Sequence, residues 1–199
     1  MGRLFHISNT SYSTTFEPEM EIILNSMATR RPIPGYSCPA HFLHDILLGK
    51  YPEWLKFPVI FRQNNKGEKF RDVLGDGMLI VLVSERMERV LSENNLTGWK
   101  VYPIELFDRR GERIAGYKGF SITGKGGVVE YPIGCPPERR PFITDPQERL
   151  YNLKQWDGSD FFTISGSPYV TERAMHVMKK AKISSLIYSP IENYYSVLW

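Results

Sequence analysis

Cysteine is scarce in this sequence, and long apolar runs are missing. Cys38 and Cys135 are the two cysteines in 199 residues, too few for the disulfide framework of a small secreted domain. They fit two thiols in a reducing cytoplasm, or one disulfide between them. No segment approaches eighteen consecutive apolar residues, and the first twenty residues lack the apolar core of a secretory signal. We therefore expect a cytoplasmic protein without a membrane partner.

A strong excess of either charge is also lacking. Lys and Arg number 25 against 22 Asp and Glu, for a formal net charge of +3, which is too small to indicate phosphate-backbone binding by itself. The hydrophobic share of 42% is ordinary for a globular protein, and 199 residues suffice for one sizeable core. We expect one compact domain, and a nucleic acid partner is disfavoured.

The sequence does contain a divergent internal repeat. The decapeptide LVSERMERVL, which begins at Leu82, returns as YVTERAMHVM from Tyr169. The copies align without gaps at an offset of 87, since Thr171 minus Ser84 is 87. The identical pairs are Val83 with Val170, Glu85 with Glu172, Arg86 with Arg173, Val90 with Val177, Pro103 with Pro190, Ile104 with Ile191, and Glu105 with Glu192.

Each copy predicts a strand followed directly by a helix. The apolar run 78–83 is typical of a strand buried on both faces, and Ser84 is a favoured N-cap residue. Thr171 holds the same position in the second copy. Apolar residues then recur on one helical face, and they are Met87, Val90 and Leu91 in the first copy and Ala174, Val177 and Met178 in the second.

The repeat predicts an α+β fold in which two divergent β-α-β-β modules pack with an N-terminal region. The first module ends with a strand at 117–123, and the second ends with a strand at 194–199. Before residue 35, where the short apolar runs are Leu4-Phe5 and 22–24, we expect one or two strands, and then a helix near 39–48. The predicted segments are an N-terminal strand and helix region (1–77), the first module (78–124), a Pro/Gly-rich connector without regular structure (125–155) and the second module (156–199).

One group of residues has the chemistry of a metal site. Cys38, His41 and His44 present a thiol and two imidazoles at three-residue spacing, and Cys135 could supply a fourth zinc ligand. Such residues on an amphipathic helix are more often packed or solvated, and no second pair completes the set. Nucleophile-elbow and phosphate-loop motifs are lacking as well. We predict no metal, no cofactor and no enzymatic activity.

The recurring pairs Glu85-Arg86 and Glu172-Arg173 are interpreted mainly as architecture. Glu in the first turn complements the positive end of the helix dipole. Arg at the next position has no local reason, so an ion pair between the modules, or a binding role, would have to explain it.

The second helix suggests a function of its own. A basic face with tyrosines nearby could bind nucleic acid through phosphate contacts and stacking, although a solvated face is the commoner meaning of such a pattern. The alternative function is therefore a nucleic-acid-binding or regulatory module. The basic residues are Arg173, His176, Lys179, Lys180 and Lys182.

The motifs resemble those of known families. Leu-Val-Ser-Glu-Arg, a helix, Leu-Thr-Gly and Tyr-Pro-Ile-Glu-Leu, in residues 82–106, are similar to the bacterial immunity-protein family numbered eleventh among the polymorphic-toxin immunity families. Myxobacterial immunity proteins are similar too, with Trp-Asp-Gly-Ser-Asp before a Val-Thr-Glu-Arg helix, and the resemblance covers roughly residues 78–199. The motif residues, which we interpret as structural, are Ser84, Glu85, Arg86, Pro103, Trp156, Asp157, Gly158, Asp160, Thr171, Glu172, Arg173 and Pro190.

The resemblance implies a non-enzymatic protein that binds a cognate toxin and neutralises it by stoichiometric occlusion. The myxobacterial proteins carry paired Cys-x-x-Cys-Gly motifs, which this chain lacks, so no metal site is carried over. The implied partner is the toxin, and the resemblance does not locate the surface that binds it.

Overall fold

The computed structural model of the chain describes residues 2–10, 14–75, 79–131, 136 and 149–198. Within these ranges the protein has an α+β fold, as predicted, with four β-sheets. None of the helices in these ranges combines the length and the hydropathy that crossing a membrane requires. Met78, Cys135, Trp199 and most of the connector from 132 to 148 lie outside the described residues.

The secondary structure consists of short elements. The described helices are α1 (Glu21–Thr29), α2 (Pro39–Leu47), α3 (Glu85–Glu93) and α4 (Glu172–Lys180). Short 3-10 turns cover Leu153–Gln155 and Ile191–Asn193. The described strands are β1 (Leu4–Asn9), β2 (Pro18–Met20), β3 (Val59–Gln63), β4 (Val73–Leu74), β5 (Leu82–Ser84), β6 (Trp99–Tyr102), β7 (Ile104–Phe107), β8 (Arg113–Ile114), β9 (Tyr117–Ile122), β10 (Gly124–Lys125), β11 (Val129–Glu130), β12 (Leu150–Asn152), β13 (Phe161–Ile164), β14 (Ser167–Thr171), β15 (Leu186–Pro190) and β16 (Ser196–Leu198).

The two repeated helices begin where the sequence predicts. The Ser84 hydroxyl accepts a hydrogen bond from the backbone N–H of Met87 at 3.1 Å, and the Thr171 hydroxyl accepts one from Ala174 at 3.2 Å. Both N-caps are confirmed. The apolar run 22–24 lies in α1 and not in a strand, and Ile23 is its buried residue. A run of three apolar residues is compatible with a helix or a strand, so the sequence pattern does not distinguish the two.

Two central sheets carry the repeated modules, so the modules do not share one sheet. The first has the strand order β4-β5-β9-β6, and the second has β10-β13-β14-β1-β15. In the first sheet β9 pairs antiparallel with both β5 and β6. In the second sheet β1 pairs antiparallel with both β14 and β15.

The N-terminal strand β1 is therefore the counterpart of β9. Ser8 lies opposite Ile187, and Ser121 lies opposite Lys100. Equivalent residues of β1 and β9 therefore differ by 113 in number, whereas Lys100 and Ile187 on the partner strands differ by 87, the offset of the repeat. The prediction that a strand at 194–199 completes the second module is wrong, since β16 pairs with β12 in another sheet. β1 fills that position in the second module instead. The spacing of residues within the repeat could not predict this, because β1 lies outside the repeat.

Pro103 and Pro190 mark equivalent points where the chain leaves a central sheet. After Pro103 the chain enters β7, which pairs parallel with β3 in the sheet β2-β3-β7-β8. After Pro190 it passes through a 3-10 turn to β16, in the sheet β11-β12-β16. β11 and β12 lie in the connector, for which no regular structure was predicted. They form because β12 pairs with β11 on one side and with β16 on the other.

Three hydrophobic clusters hold the sheets and helices together. The central cluster joins the two modules, with Met87 and Leu91 of α3 and Met178 of α4 packed around Phe120 and Phe161. A second cluster lies between the first central sheet and the β2-β3-β7-β8 layer, and a third lies between the second central sheet and the β11-β12-β16 layer. Burial of large aromatic side chains dominates the stability of such cores.

Candidate protein-binding cleft

Asp160, at the start of the second module, lies at the centre of a buried hydrogen-bond network. One of its carboxylate oxygens accepts from the Thr171 hydroxyl at 2.8 Å. The other accepts from the backbone N–H of Thr97 at 3.0 Å and from the Arg173 guanidinium at 2.8 Å. Since Thr97 belongs to the first module, Asp160 joins the two modules. We call this network the Asp160 clasp.

Asp72, just before the first module, forms the equivalent network around Ser84 and Arg86. Its carboxylate accepts from the Ser84 hydroxyl at 2.8 Å, from the backbone N–H of Ser184 at 2.9 Å and from Arg86 at 2.8 Å. Asp72 precedes Ser84 by twelve residues, whereas Asp160 precedes Thr171 by eleven. An alignment without gaps therefore misses this pair. We call the second network the Asp72 clasp.

The two arginines also reach across to the opposite helix. Arg173 donates to the carbonyl oxygens of Asn94 and Asn95, at 2.6 and 3.3 Å, where α3 ends. Arg86 donates to the carbonyl oxygen of Ala181, where α4 ends. Each guanidinium thus satisfies orphan carbonyls and complements the negative end of a helix dipole. The recurring Arg has an architectural role between the modules.

The Asp72 clasp predicts a pH dependence. Burial by itself raises the pKa of Asp72, but hydrogen bonds from Ser184 and Ser84 and the charge of Arg86 hold it below the ordinary value of 3.8. A lowered folded-state pKa contributes stability that is present above pH 3.8 and is lost as the pH falls through the folded value. We expect the urea midpoint of Asp72→Asn to fall less than that of the wild type between about pH 5 and about pH 2. Equal losses in the two proteins would contradict the role of this carboxylate, and Glu93→Gln, at an exposed position, is the control.

The remaining predicted motif residues lie in local turns and backbone pairs. Asp157 accepts from the backbone N–H of Ser159 at 3.0 Å and of Lys125 at 2.7 Å, and Gly158 has a φ of +84°. The Trp156 indole donates to the Ser159 carbonyl at 3.0 Å. This turn delivers the chain to β13. The backbone N–H groups of Glu85 and Glu172 donate to Gly116 and Arg3 at 2.9 and 2.8 Å.

The residues of the other two hypotheses are dispersed or already engaged. Cys38 is a free thiol before α2, His41 contacts Ser37, and His44 lies against Gly166. Within the described part of the chain, no three His, Cys, Asp or Glu side chains form a group that could hold a metal ion. On α4, Arg173 belongs to the Asp160 clasp, and the Lys179 ammonium lies 5.2 Å from the centre of the Tyr188 ring.

An open cleft of about 650 Å³ lies at the carboxyl ends of the parallel strands β3 and β7. Two turns bound it, one at 64–67 after β3 and one at 108–111 after β7. We call it the arginine cleft. It is lined by four cations, three carboxylates, three apolar side chains and two further residues, which are Lys66, Arg109, Arg110, Arg113, Glu68, Asp108, Glu112, Phe16, Phe70, Ile114, Gln63 and Gly67.

Gln63, at the end of β3, connects the two turns of the cleft. Its side-chain amide donates to the carbonyl oxygen of Gly67 at 2.6 Å. Its side-chain oxygen accepts from the backbone N–H of Arg109 at 3.2 Å. One side chain on a strand therefore fixes the spacing between both walls of the cleft.

The turn after β3 is also held by hydrogen bonds of Asn65. The Asn65 side chain accepts from the backbone N–H groups of Glu17 and Gly67, at 3.2 and 3.1 Å, and donates to the Thr15 carbonyl at 2.7 Å. A Cβ at Gly67 would lie 2.0 Å from the same carbonyl oxygen. The close approach of the two backbones requires glycine here.

The turn after β7 presents two arginines. The Asp108 carboxylate accepts from the backbone N–H groups of Arg110 and Glu112, each at 2.8 Å, so its charge is directed at its own turn. Arg113 pairs with Glu105 at 3.5 Å. The exposed guanidinium groups of Arg109 and Arg110 have no ion-pair partner among the residues that the structure describes.

The cleft also exposes an aromatic ring. Phe70 is 47% exposed, and its ring stacks on the buried Phe16 with centroids 4.9 Å apart. A cleft that combines such an exposed ring with unpaired arginines can contact both an apolar group and an anionic group of a partner. Both turns have a composition typical of turns, with Asn or Asp at the start and Gly at the end. The pairing of the turns depends on Gln63, which no motif marks.

Comparison with known protein families gives no match, and comparison with curated proteins gives none either. The resemblance to immunity proteins therefore stays a prediction based on short motifs. Several of those motif residues form the two clasps between the modules. The functional argument accordingly begins from the arginine cleft and not from the motifs.

Proposed function

We propose that the protein is an immunity protein that binds a cognate bacterial toxin and neutralises it by stoichiometric occlusion, with the arginine cleft as the toxin-binding surface. The observation that carries the proposal is that the exposed Phe70 ring lines the same cleft as the unpaired guanidinium groups of Arg109 and Arg110. Aromatic residues and arginines are enriched in protein interfaces and contribute most of the binding energy there.

The construction of the cleft favours tight binding. The hydrogen bonds of Gln63 and Asn65 hold both turns in place before a partner arrives. A preorganised surface loses little conformational entropy on binding, so more of the contact energy appears as affinity. Occlusion requires this tight binding and no chemical step.

The charge of the cleft indicates the chemistry of the contacted segment. Lys66, Arg109 and Arg110 line the cleft together with the carboxylates of Glu68 and Glu112, and Asp108 is engaged in its own turn, so the positive charge is concentrated at the adjacent pair Arg109 and Arg110. An acidic segment of the toxin with a neighbouring apolar side chain fits this arrangement. Complementary charge would also accelerate association, and the rate would fall as salt is added.

The test uses the product of the neighbouring toxin gene. Co-expression of the wild-type chain should restore growth, and the two proteins should co-purify in equal amounts. Arg109→Gln combined with Arg110→Gln should weaken the complex at least about tenfold and should abolish protection, since arginines are enriched among the few interface residues whose truncation costs about 2 kcal/mol or more. Arg30→Gln combined with Arg31→Gln changes an exposed arginine pair outside the cleft and should behave as the wild type.

Two results would overturn the proposal. Failure of both growth rescue and co-purification would reject the immunity function, whereas equal loss in both double variants would reject the arginine cleft as the site. The alternative, nucleic acid binding, is tested with random single-stranded DNA at low salt. Binding that weakens steeply with added salt would favour it.

A further inference from the structure

A second cleft, of about 420 Å³, lies at the second central sheet. His6 and Ser8 of β1 line it on one side, and the two-residue turn between β13 and β14 lines it on another, with His44 of α2 across from Ser165 and Ser167. The hydroxyl groups of the three serines have no hydrogen-bond partner among the described residues. We call this space the serine cleft. It shares no lining residue with the arginine cleft.

The first central sheet shows what occupies the equivalent place there. Ser121 of β9 is the counterpart of Ser8, because each lies on a central strand opposite a matching partner. Ser121 is 1% exposed. Its hydroxyl donates to the carbonyl oxygen of Ile46 at 2.6 Å and lies 3.0 Å from the hydroxyl of Tyr51. In the first central sheet, this position is therefore covered by the chain itself, with Tyr51 against the serine hydroxyl.

The lining of the serine cleft fits the same kind of occupant. No Lys, Arg, Asp or Glu is among its lining residues. Burial lowers the pKa of His6, so its imidazole is neutral at pH 7 and neither requires nor repels a charge. The cleft itself has room for an aromatic side chain. It adjoins a small pocket of about 30 Å³ whose apolar lining includes Leu47, Ile122 and Pro168, and these side chains can contact the edge of an aromatic ring in the cleft.

We propose that the serine cleft binds a tyrosine-bearing segment of a protein partner, with the tyrosine hydroxyl hydrogen-bonded to Ser8 and the ring on the adjoining apolar pocket. The binding repeats between two molecules what Ser121 and Tyr51 do within the first module. It is independent of toxin binding at the arginine cleft, since the two clefts are lined by different residues.

The test is a titration of the isotope-labelled full-length protein with N-acetyltyrosinamide, followed by two-dimensional NMR. The amide signals of Ser8 and of 165–167 should shift and saturate. N-acetylphenylalaninamide, which lacks the hydroxyl group, should bind about two- to tenfold more weakly, the factor expected for one net hydrogen bond. Ser8→Ala should bind both probes with the weaker affinity, and Ser92→Ala, at an exposed position on α3, should bind as the wild type.

A second variant guards against a folding defect at β1. His44→Ala removes one exposed wall of the cleft and should weaken both probes while the rest of the spectrum stays unchanged. Equal affinity of the two probes for the wild type would overturn the proposal, as would shifts that do not saturate. Shifts of the same signals on dilution without any probe would identify a second copy of this chain as the occupant and would overturn it too.

Discussion

Asp160→Ala is expected to lower the free energy of unfolding by about 3 kcal/mol, because it removes a buried acceptor from three partly buried donors. The Asp160 side chain is 7% exposed and accepts from Thr97, Thr171 and Arg173. Each unsatisfied buried donor costs about 1–3 kcal/mol, and the half-exposed Arg173 can recover part of its loss from water. Urea denaturation followed by circular dichroism measures the change.

Glu93→Ala is the control for this prediction, since Glu93 is exposed on α3, and its effect should stay within about 0.5 kcal/mol. Asp72→Ala removes the equivalent clasp and should cost a comparable amount. If Asp160→Ala were as mild as Glu93→Ala, the Asp160 clasp would have no energetic role in joining the modules.

Gly98→Ala is expected to destabilise the fold by about 3 kcal/mol, from steric overlap and backbone strain together. Gly98 has a φ of +80°, and a Cβ there would lie 2.0 Å from the carbonyl oxygen of Phe161. The Cβ would be attached directly to one backbone and the oxygen belongs to another, so neither atom can move away without moving a backbone segment. The same denaturation experiment measures the loss, and a change below about 1 kcal/mol would contradict the close approach.

Ser185→Gly is a matched control that should change the free energy of unfolding in the opposite direction. Ser185 is the counterpart of Gly98, and its φ is +72° although it is not glycine. Its hydroxyl is buried without a hydrogen-bond partner among the described residues. Ser185→Gly should therefore raise the free energy of unfolding by roughly 0.5–1 kcal/mol, as relief of the strain exceeds the added entropy of the unfolded chain. Destabilisation by Ser185→Gly would show that Ser185 is not strained.

Features encoded within a few residues were predictable from the sequence. Ser84 and Thr171 each follow an apolar run and precede a helical face, so the N-caps and the strand-to-helix transitions follow from local chemistry. Pro103 and Pro190 mark equivalent ends of strands in the two copies. The α+β class follows from these repeated units, and the structure confirms it.

Features that depend on distant pairing were not predictable. β1 lies in the second central sheet because its register matches β14 and β15, about 180 positions away. The equivalence of Asp72 and Asp160 could not be predicted, because the spacing to the N-cap residue is twelve in one copy and eleven in the other. The arginine cleft depends on Gln63, a polar side chain at the end of a strand whose role appears only when β3 and β7 lie side by side.

The position of β1 has a consequence for synthesis on the ribosome. The first central sheet draws its strands from Val73 to Ile122, so it can close while the chain is still growing. The second sheet needs β1, which is made first, and β15, which begins at Leu186. At the usual rate of elongation β1 waits about ten seconds or longer for its partners. Until then the apolar face of β1 is exposed to chaperones and to other nascent chains, so β1 is the strand of this sheet that is exposed to misfolding for the longest time.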